Sequence, residues 1–119
     1  MNDAEMITYL RDNGYPEHVV KAGRRGLVDR WNKFVEDVSK GYKLGLEDYR
    51  NDLDLRGIIS MVGLEDEVRE ADAELESLLT RKKVRVWESG VDDSFWDFGY
   101  PKNASGELLG DLRDEGLAE

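Results

Sequence analysis

The chain of 119 residues contains no cysteine, only two prolines and a single histidine. Without cysteine it can form neither disulfides nor thiolate metal sites, and it lacks the nucleophile of cysteine-dependent enzymes. This absence also fits a reducing cytoplasm, which is the location we predict. The one histidine, His18, lies beside Val19 and close to Pro16. A lone histidine in such a setting is more often structural or exposed than catalytic.

Long apolar runs and catalytic signatures are also missing. No stretch approaches the roughly 18 residues that span a bilayer, and residues 1–10 lack the basic and apolar regions of a signal peptide. The sequence contains no nucleophile elbow, phosphate-binding loop or helical zinc-protease motif. It therefore predicts one soluble domain over residues 1–119, with no motif that identifies an enzyme.

Charge is abundant and unevenly distributed. The net charge is −10, from 27 acidic and 17 basic residues. Residues 46–80 sum to −8 and residues 86–119 to −7, whereas residues 21–45 sum to +4. Such a surface repels nucleic-acid phosphates and anionic lipids, so we expect neither a nucleic-acid nor a membrane partner. A basic protein would complement it.

Helical periodicity dominates the first two thirds of the chain. Apolar residues at spacings of three and four predict helices that begin near residues 3, 27, 46 and 64. Asn2 or Asp3 is a typical helix cap, and Pro16 is well placed to open a helix. A last short helix is predicted after Ser105. We therefore expect a mainly α fold, a bundle of three to four main helices whose apolar stripes face each other.

One apolar stripe has the spacing of a helix–helix seam. Its members alternate steps of four and three along the predicted third helix. They are Leu64, Val68, Ala71, Leu75 and Leu78. The stripe predicts packing within the bundle, and homo-oligomerisation through it is the alternative.

The pattern changes after Lys83. Residues 84–87 and 95–100 are typical of two short strands around a turn, which predicts a small C-terminal β-hairpin or an extended aromatic arm. Five of the eleven aromatic residues lie here beside three aspartates, and tryptophan and tyrosine are frequent interface anchors. The alternative is that the rings cover the core. The predicted partner-binding residues are Trp87, Asp92, Asp93, Phe95, Trp96, Asp97 and Tyr100.

A different hypothesis concerns a metal ion. Asp48 and Asp52 are four residues apart and share a helix face, as metal-binding carboxylate pairs do. With a second acidic pair on a facing helix, they would hold Mg²⁺ in a small helical phosphoanhydride hydrolase. That second pair would be Glu36 with Asp37, or Glu67 with Glu70. Against this, Arg56 follows Asp52 by four residues, which predicts an ordinary surface ion pair.

The segment Gly23-Arg24-Arg25-Gly26 has the spacing of the GxxG loop with which KH domains clamp a nucleic-acid backbone. The residues before it predict helix, whereas a KH domain needs a strand there. The simpler interpretation is that the two glycines turn the chain.

The function that these features favour is a non-catalytic protein-binding module that uses an acidic surface and a few aromatic anchors. Inhibitor and immunity-type proteins that neutralise basic nucleases or toxins have this size and charge. The alternative is the Mg²⁺-dependent hydrolase. The binding module would need no cofactor.

Overall fold

The computed structural model describes residues 2–80 and 99–118. These residues form five α-helices: α1 over Asp3–Asp12, α2 over Glu17–Lys40, α3 over Leu46–Met61, α4 over Arg69–Leu78 and α5 over Gly106–Asp114. A short 3-10 helix, Glu65–Val68, leads into α4. The prediction of a mainly helical fold is confirmed. None of these helices combines the length and the apolar character that crossing a bilayer requires.

Local sequence signals set the starts of the first two helices. The side-chain oxygen of Asn2 accepts a hydrogen bond from the backbone N–H of Glu5 at 2.8 Å, and α2 begins directly after Pro16. α3 is capped from a distance, because Asp111 of α5 accepts a hydrogen bond from the backbone N–H of Leu46 at 3.0 Å. Periodicity alone does not predict this third cap, since its two residues are 65 positions apart.

α2 bends at Gly23, whose φ of 62° and ψ of −153° are not helical. Next to the bend, a Cβ at Gly26 would lie 2.2 Å from the Cβ of Ala22, so a side chain does not fit there. Arg24 turns inward and donates a hydrogen bond to the backbone carbonyl of Val62 at 2.8 Å. The GxxG segment is therefore a bend within a helix, and Arg24 packs against the chain instead of projecting from a loop.

A hydrophobic core lies between the helices, and α2 supplies eight of its buried side chains. Four aromatic rings form its centre. The Phe34 ring centroid lies 5.0 Å from that of Trp31 and 6.0 Å from that of Tyr49. Tyr42 completes the group at 5.6 Å from Tyr49. This cluster joins α2, α3 and the turn that connects them.

The stripe from Leu64 to Leu78 faces this core. Leu64, Val68 and Leu75 are buried, and Ala71 and Leu78 are partly buried. The contacts of α4 are made mainly with α2. The chain therefore uses this stripe for its own packing, which leaves little apolar surface on it for a second copy.

Most of the predicted β-hairpin falls on residues 81–98, which lie outside the described residues. At the border, Leu79 and Pro101 form an isolated antiparallel bridge. The backbone N–H of Thr80 donates to the carbonyl of Tyr100 at 2.9 Å. Residues 2–80 and 99–118 contain no longer strand, so the hairpin stays a prediction.

Candidate functional site

Two open grooves run along opposite sides of α2. The α2–α3 groove, of about 390 Å³, is lined by Tyr15, Val19, Asp29, Arg30, Lys33, Phe34, Asp37, Asn51, Asp52 and Leu55. The α2–α4 groove, of about 410 Å³, is lined by Asn32, Val35, Glu36, Ser39, Glu70, Ala71 and Glu74. Charges of both signs line the first groove, whereas the charged residues of the described chain that line the second groove are all carboxylates.

The α2–α4 groove carries three exposed carboxylates, Glu36 on α2 and Glu70 and Glu74 on α4. Glu36 pairs with Lys40 at 2.5 Å. Within residues 2–80 and 99–118, neither Glu70 nor Glu74 belongs to an ion pair. Like charges four residues apart on a helix repel each other. The repulsion between Glu70 and Glu74 therefore opposes the favourable position of Glu70 in the first turn of α4, and packing explains neither carboxylate.

The helix dipole accounts for only part of this acidity. Residues 65–76 contain seven acidic residues and one basic residue, Arg69. Acidic residues at the start of the segment, such as Glu65 and Glu67, interact favourably with the positive end of a helix. Glu76 lies in the last turn of α4, where a carboxylate interacts unfavourably with the negative end of the helix dipole. The helix dipole therefore does not explain the acidity of this end.

A buried ion pair fixes α4 against α2 and α3. Arg56 of α3 contacts Asp72 of α4, with 2.9 Å between Nη2 and Oδ2, and their side chains are 8% and 19% exposed. The indole N–H of Trp31 on α2 donates to Oδ1 of Asp72 at 2.9 Å. Each of the three helices therefore contributes one side chain to this network, which sets the position of the α4 wall of the groove.

The predicted surface pair between Asp52 and Arg56 is wrong. Arg56 turns toward the core, where it contacts Asp72 and donates to the hydroxyl of Ser60 at 2.5 Å. Asp52 instead accepts a hydrogen bond from the hydroxyl of Tyr42 at 2.5 Å. Spacing along one helix suggested the pair, but in the structure Arg56 pairs with the carboxylate of Asp72 on α4.

The four acids of the metal hypothesis are divided by the fold. Asp37 and Asp52 both line the α2–α3 groove, where Asp37 pairs with Lys33 at 2.9 Å. Glu36 lies on the other side of α2, and Asp48 is exposed outside both grooves. Across the described ranges, no three histidine, aspartate or glutamate side chains group closely enough to hold a metal ion. The structure thus brings together two of the four predicted ligands.

Partial burial shifts the pKa values of Asp52 and Tyr42, on the α3 side of α2. It raises the pKa of Asp52, and the negative charges of Asp48 and Asp37 raise this pKa further. The hydrogen bond from Tyr42 and the positive charge of Arg30 act in the opposite direction and lower it. Burial also raises the pKa of Tyr42, and Asp52 adds to that shift. Asp52 and Tyr42 therefore each keep their proton to a higher pH than the same group does when fully exposed.

Of the residues predicted to bind a partner, the structure describes Tyr100, which is 8% exposed and belongs to the core. The other six lie outside the described residues and stay a prediction. They are Trp87, Asp92, Asp93, Phe95, Trp96 and Asp97. Sequence reasoning did not identify Glu74, although its spacing from Glu70 is the signal that marks a one-sided acidic face.

Comparison with known proteins finds no relative of this chain. The sequence matches no protein-family model. No curated protein and no solved structure shows significant similarity to the chain. The function is therefore argued from the two grooves.

Proposed function

We propose that this protein is a non-catalytic binding module for a basic protein, and that the α2–α4 groove is its contact surface. The supporting observation is that Glu36, Glu70 and Glu74 line this groove and that no basic residue among residues 2–80 and 99–118 does so. An inhibitor or immunity-type protein that neutralises a basic nuclease or toxin is one module of this kind.

The shape of the groove suits basic side chains. Between the carboxylates, Val35 and Ala71 give it an apolar lining. Lysine and arginine place their aliphatic stems on such a surface while their charged heads stay at the rim. Carboxylates at the rim contribute mainly to the rate and the specificity of association, because long-range attraction steers the encounter.

The test compares two double variants with equal net charge. Glu70→Gln/Glu74→Gln neutralises the α4 wall, and Asp12→Asn/Asp114→Asn neutralises two exposed acids outside the groove. Each changes the net charge from −10 to −8. Wild type and both variants serve as baits in a native lysate at two salt concentrations. The association rate of each is then measured by interferometry with the basic protein that wild type retains.

We expect the groove variant to associate at least about threefold more slowly at low salt, because it loses part of the steering field. The Asp12/Asp114 variant should stay near the wild-type rate, and the difference should shrink as salt rises. Equal rates for the two variants would remove the α2–α4 groove from the proposal. Retention of no basic protein by wild type would remove the proposed function.

The aromatic arm is a separate part of the proposal. If Asp92, Asp93 and Asp97 also face the partner, charge reversal at these positions slows association with the same captured protein. An unchanged rate would restrict the contact surface to the groove.

A further inference from the structure

The α2–α3 groove contains one cation and one anion that the described chain leaves without an ion pair. Lys33 pairs with Asp37 at 2.9 Å, and Asp29 pairs with Arg25 at 3.1 Å. Arg30 and Asp52 also line the groove, and neither takes part in an ion pair within residues 2–80 and 99–118. The hydrogen bond from Tyr42 occupies one oxygen of Asp52, Oδ2.

Apolar side chains lie between these charges. Val19 and Phe34 are buried and Leu55 is partly buried, and all three line the groove. A volume of about 390 Å³ lies at the lower end of the range for small-molecule sites. The groove thus combines a positive group, a negative group and an apolar surface at the scale of a small metabolite.

We propose that the α2–α3 groove binds a small zwitterion with an apolar side chain, that is, an α-amino acid of the leucine type. Its carboxylate would contact the guanidinium of Arg30, its ammonium group the free oxygen of Asp52, and its side chain the surface formed by Phe34 and its apolar neighbours. The lining carries three carboxylates and two basic side chains, so a simple anion or a simple cation would pair with only one of the two unpaired groups. A zwitterion satisfies both charges at once.

The experiment uses the full chain and L-leucine as the probe, with dissociation constants measured by NMR titration of backbone amides. Isocaproate lacks the ammonium group, isoamylamine lacks the carboxylate, and glycine lacks the side chain. Each should bind at least about tenfold more weakly than leucine, because a hydrogen bond to a charged group or an apolar contact is lost. Equal binding of leucine, isocaproate and isoamylamine, or no titration by leucine, would overturn the proposal.

Substitutions locate the two charged contacts. Arg30→Gln should weaken leucine binding about tenfold and leave isoamylamine binding little changed, and Asp52→Asn should weaken leucine but not isocaproate. Lys21→Gln and Asp114→Asn are the matched controls, since both residues are exposed and lie outside the groove. Controls that weaken leucine as much as the groove variants would also contradict the site. Because the probe is a small molecule, the outcome is independent of whether a basic protein binds the opposite side of α2.

Discussion

The two grooves on α2 share a helix and differ in how their charges are balanced. In the α2–α3 groove, Lys33 offsets Asp37 across one helical turn, and Arg25 offsets Asp29 in the same way. In the α2–α4 groove, carboxylates from both helices face outward and none of the described residues that line the walls is basic. Negative charge is therefore less well balanced in this groove than in the other. A one-sided field of this kind is suited to attract a partner, whereas a balanced groove suits a neutral or zwitterionic ligand.

The grooves also differ in what holds their walls. Aromatic packing among Phe34, Tyr42 and Tyr49 connects α2 with α3, together with the hydrogen bond from Tyr42 to Asp52. On the other side, a polar network built around Asp72 fixes α4. Buried charges are stable only when paired, so the α4 wall depends on a few atoms far more than the α3 wall does.

Of the changes that test this difference between the two walls, removal of Asp72 has the largest expected effect on the free energy of unfolding. Asp72→Ala takes the carboxylate away from a guanidinium that is 8% exposed and should lower the free energy of unfolding by about 3 kcal/mol. Asp37→Ala breaks an exposed pair and should cost about 1 kcal/mol or less. Urea denaturation measures both, and amide hydrogen exchange should show the greatest loss of protection in α4. Similar losses for the two variants would show that the Asp72 network is no more important than a surface pair.

The second largest effect is expected at alkaline pH, which should lower the stability of the α2–α3 side. Burial, with the charge of Asp54, raises the pKa of Tyr15 to about 12 from an ordinary value of 10.0. The folded state then holds the phenol proton more tightly than the unfolded state does. The stability that this residue contributes is complete below about pH 10 and is lost as pH rises to about 12, by at most about 1.4 kcal/mol per pH unit. Urea titrations of wild type and Tyr15→Phe across this range should show the smaller decline in the variant, and parallel declines would contradict it.

Neutralising one carboxylate of the α4 wall has the smallest expected effect, and it should raise the free energy of unfolding instead of lowering it. Glu74→Gln removes the repulsion from Glu70 and should raise the free energy of unfolding by about 0.2–0.5 kcal/mol. Urea denaturation at low salt measures this gain, with Glu36→Gln as the control because Glu36 already pairs with Lys40. A loss of stability in Glu74→Gln would show that the wall is stabilised by its charges, and its acidity would then need no partner to explain it.

Much of the helical layout was predictable because it depends on neighbours in sequence. The caps at Asn2 and Pro16 and the apolar stripe of α2 are local signals, and α1, α3 and α5 begin where helices were predicted. The long single helix α2 was not predicted, because Gly23 and Gly26 are typical of an interruption. The structure instead bends the helix at Gly23 and continues it, since the close approach of Ala22 and Gly26 allows both halves to pack on the same core.

The candidate sites were less predictable, because their residues come from different helices. The pairing of Arg56 with Asp52 followed from spacing and is wrong, since α4 brings Asp72 to the same guanidinium. The metal hypothesis placed Asp37 and Asp52 on facing helices, and the two residues do line the same groove. It also placed Glu36 with them, whereas Glu36 lines the groove on the other side of α2. Adjacent residues on a helix point about 100° apart, so only the packing partners decide which groove each one enters.

The sequence by itself determined the helical character of this chain, the positions where most helices begin, and its excess of negative charge. These properties follow from composition and from periodicity within short segments. Tertiary structure decided which carboxylates are neutralised and which are exposed in a groove. That outcome depends on distances between side chains far apart in sequence, such as Trp31 and Asp72, which are 41 positions apart. The packing of α2 between α3 and α4 sets those distances.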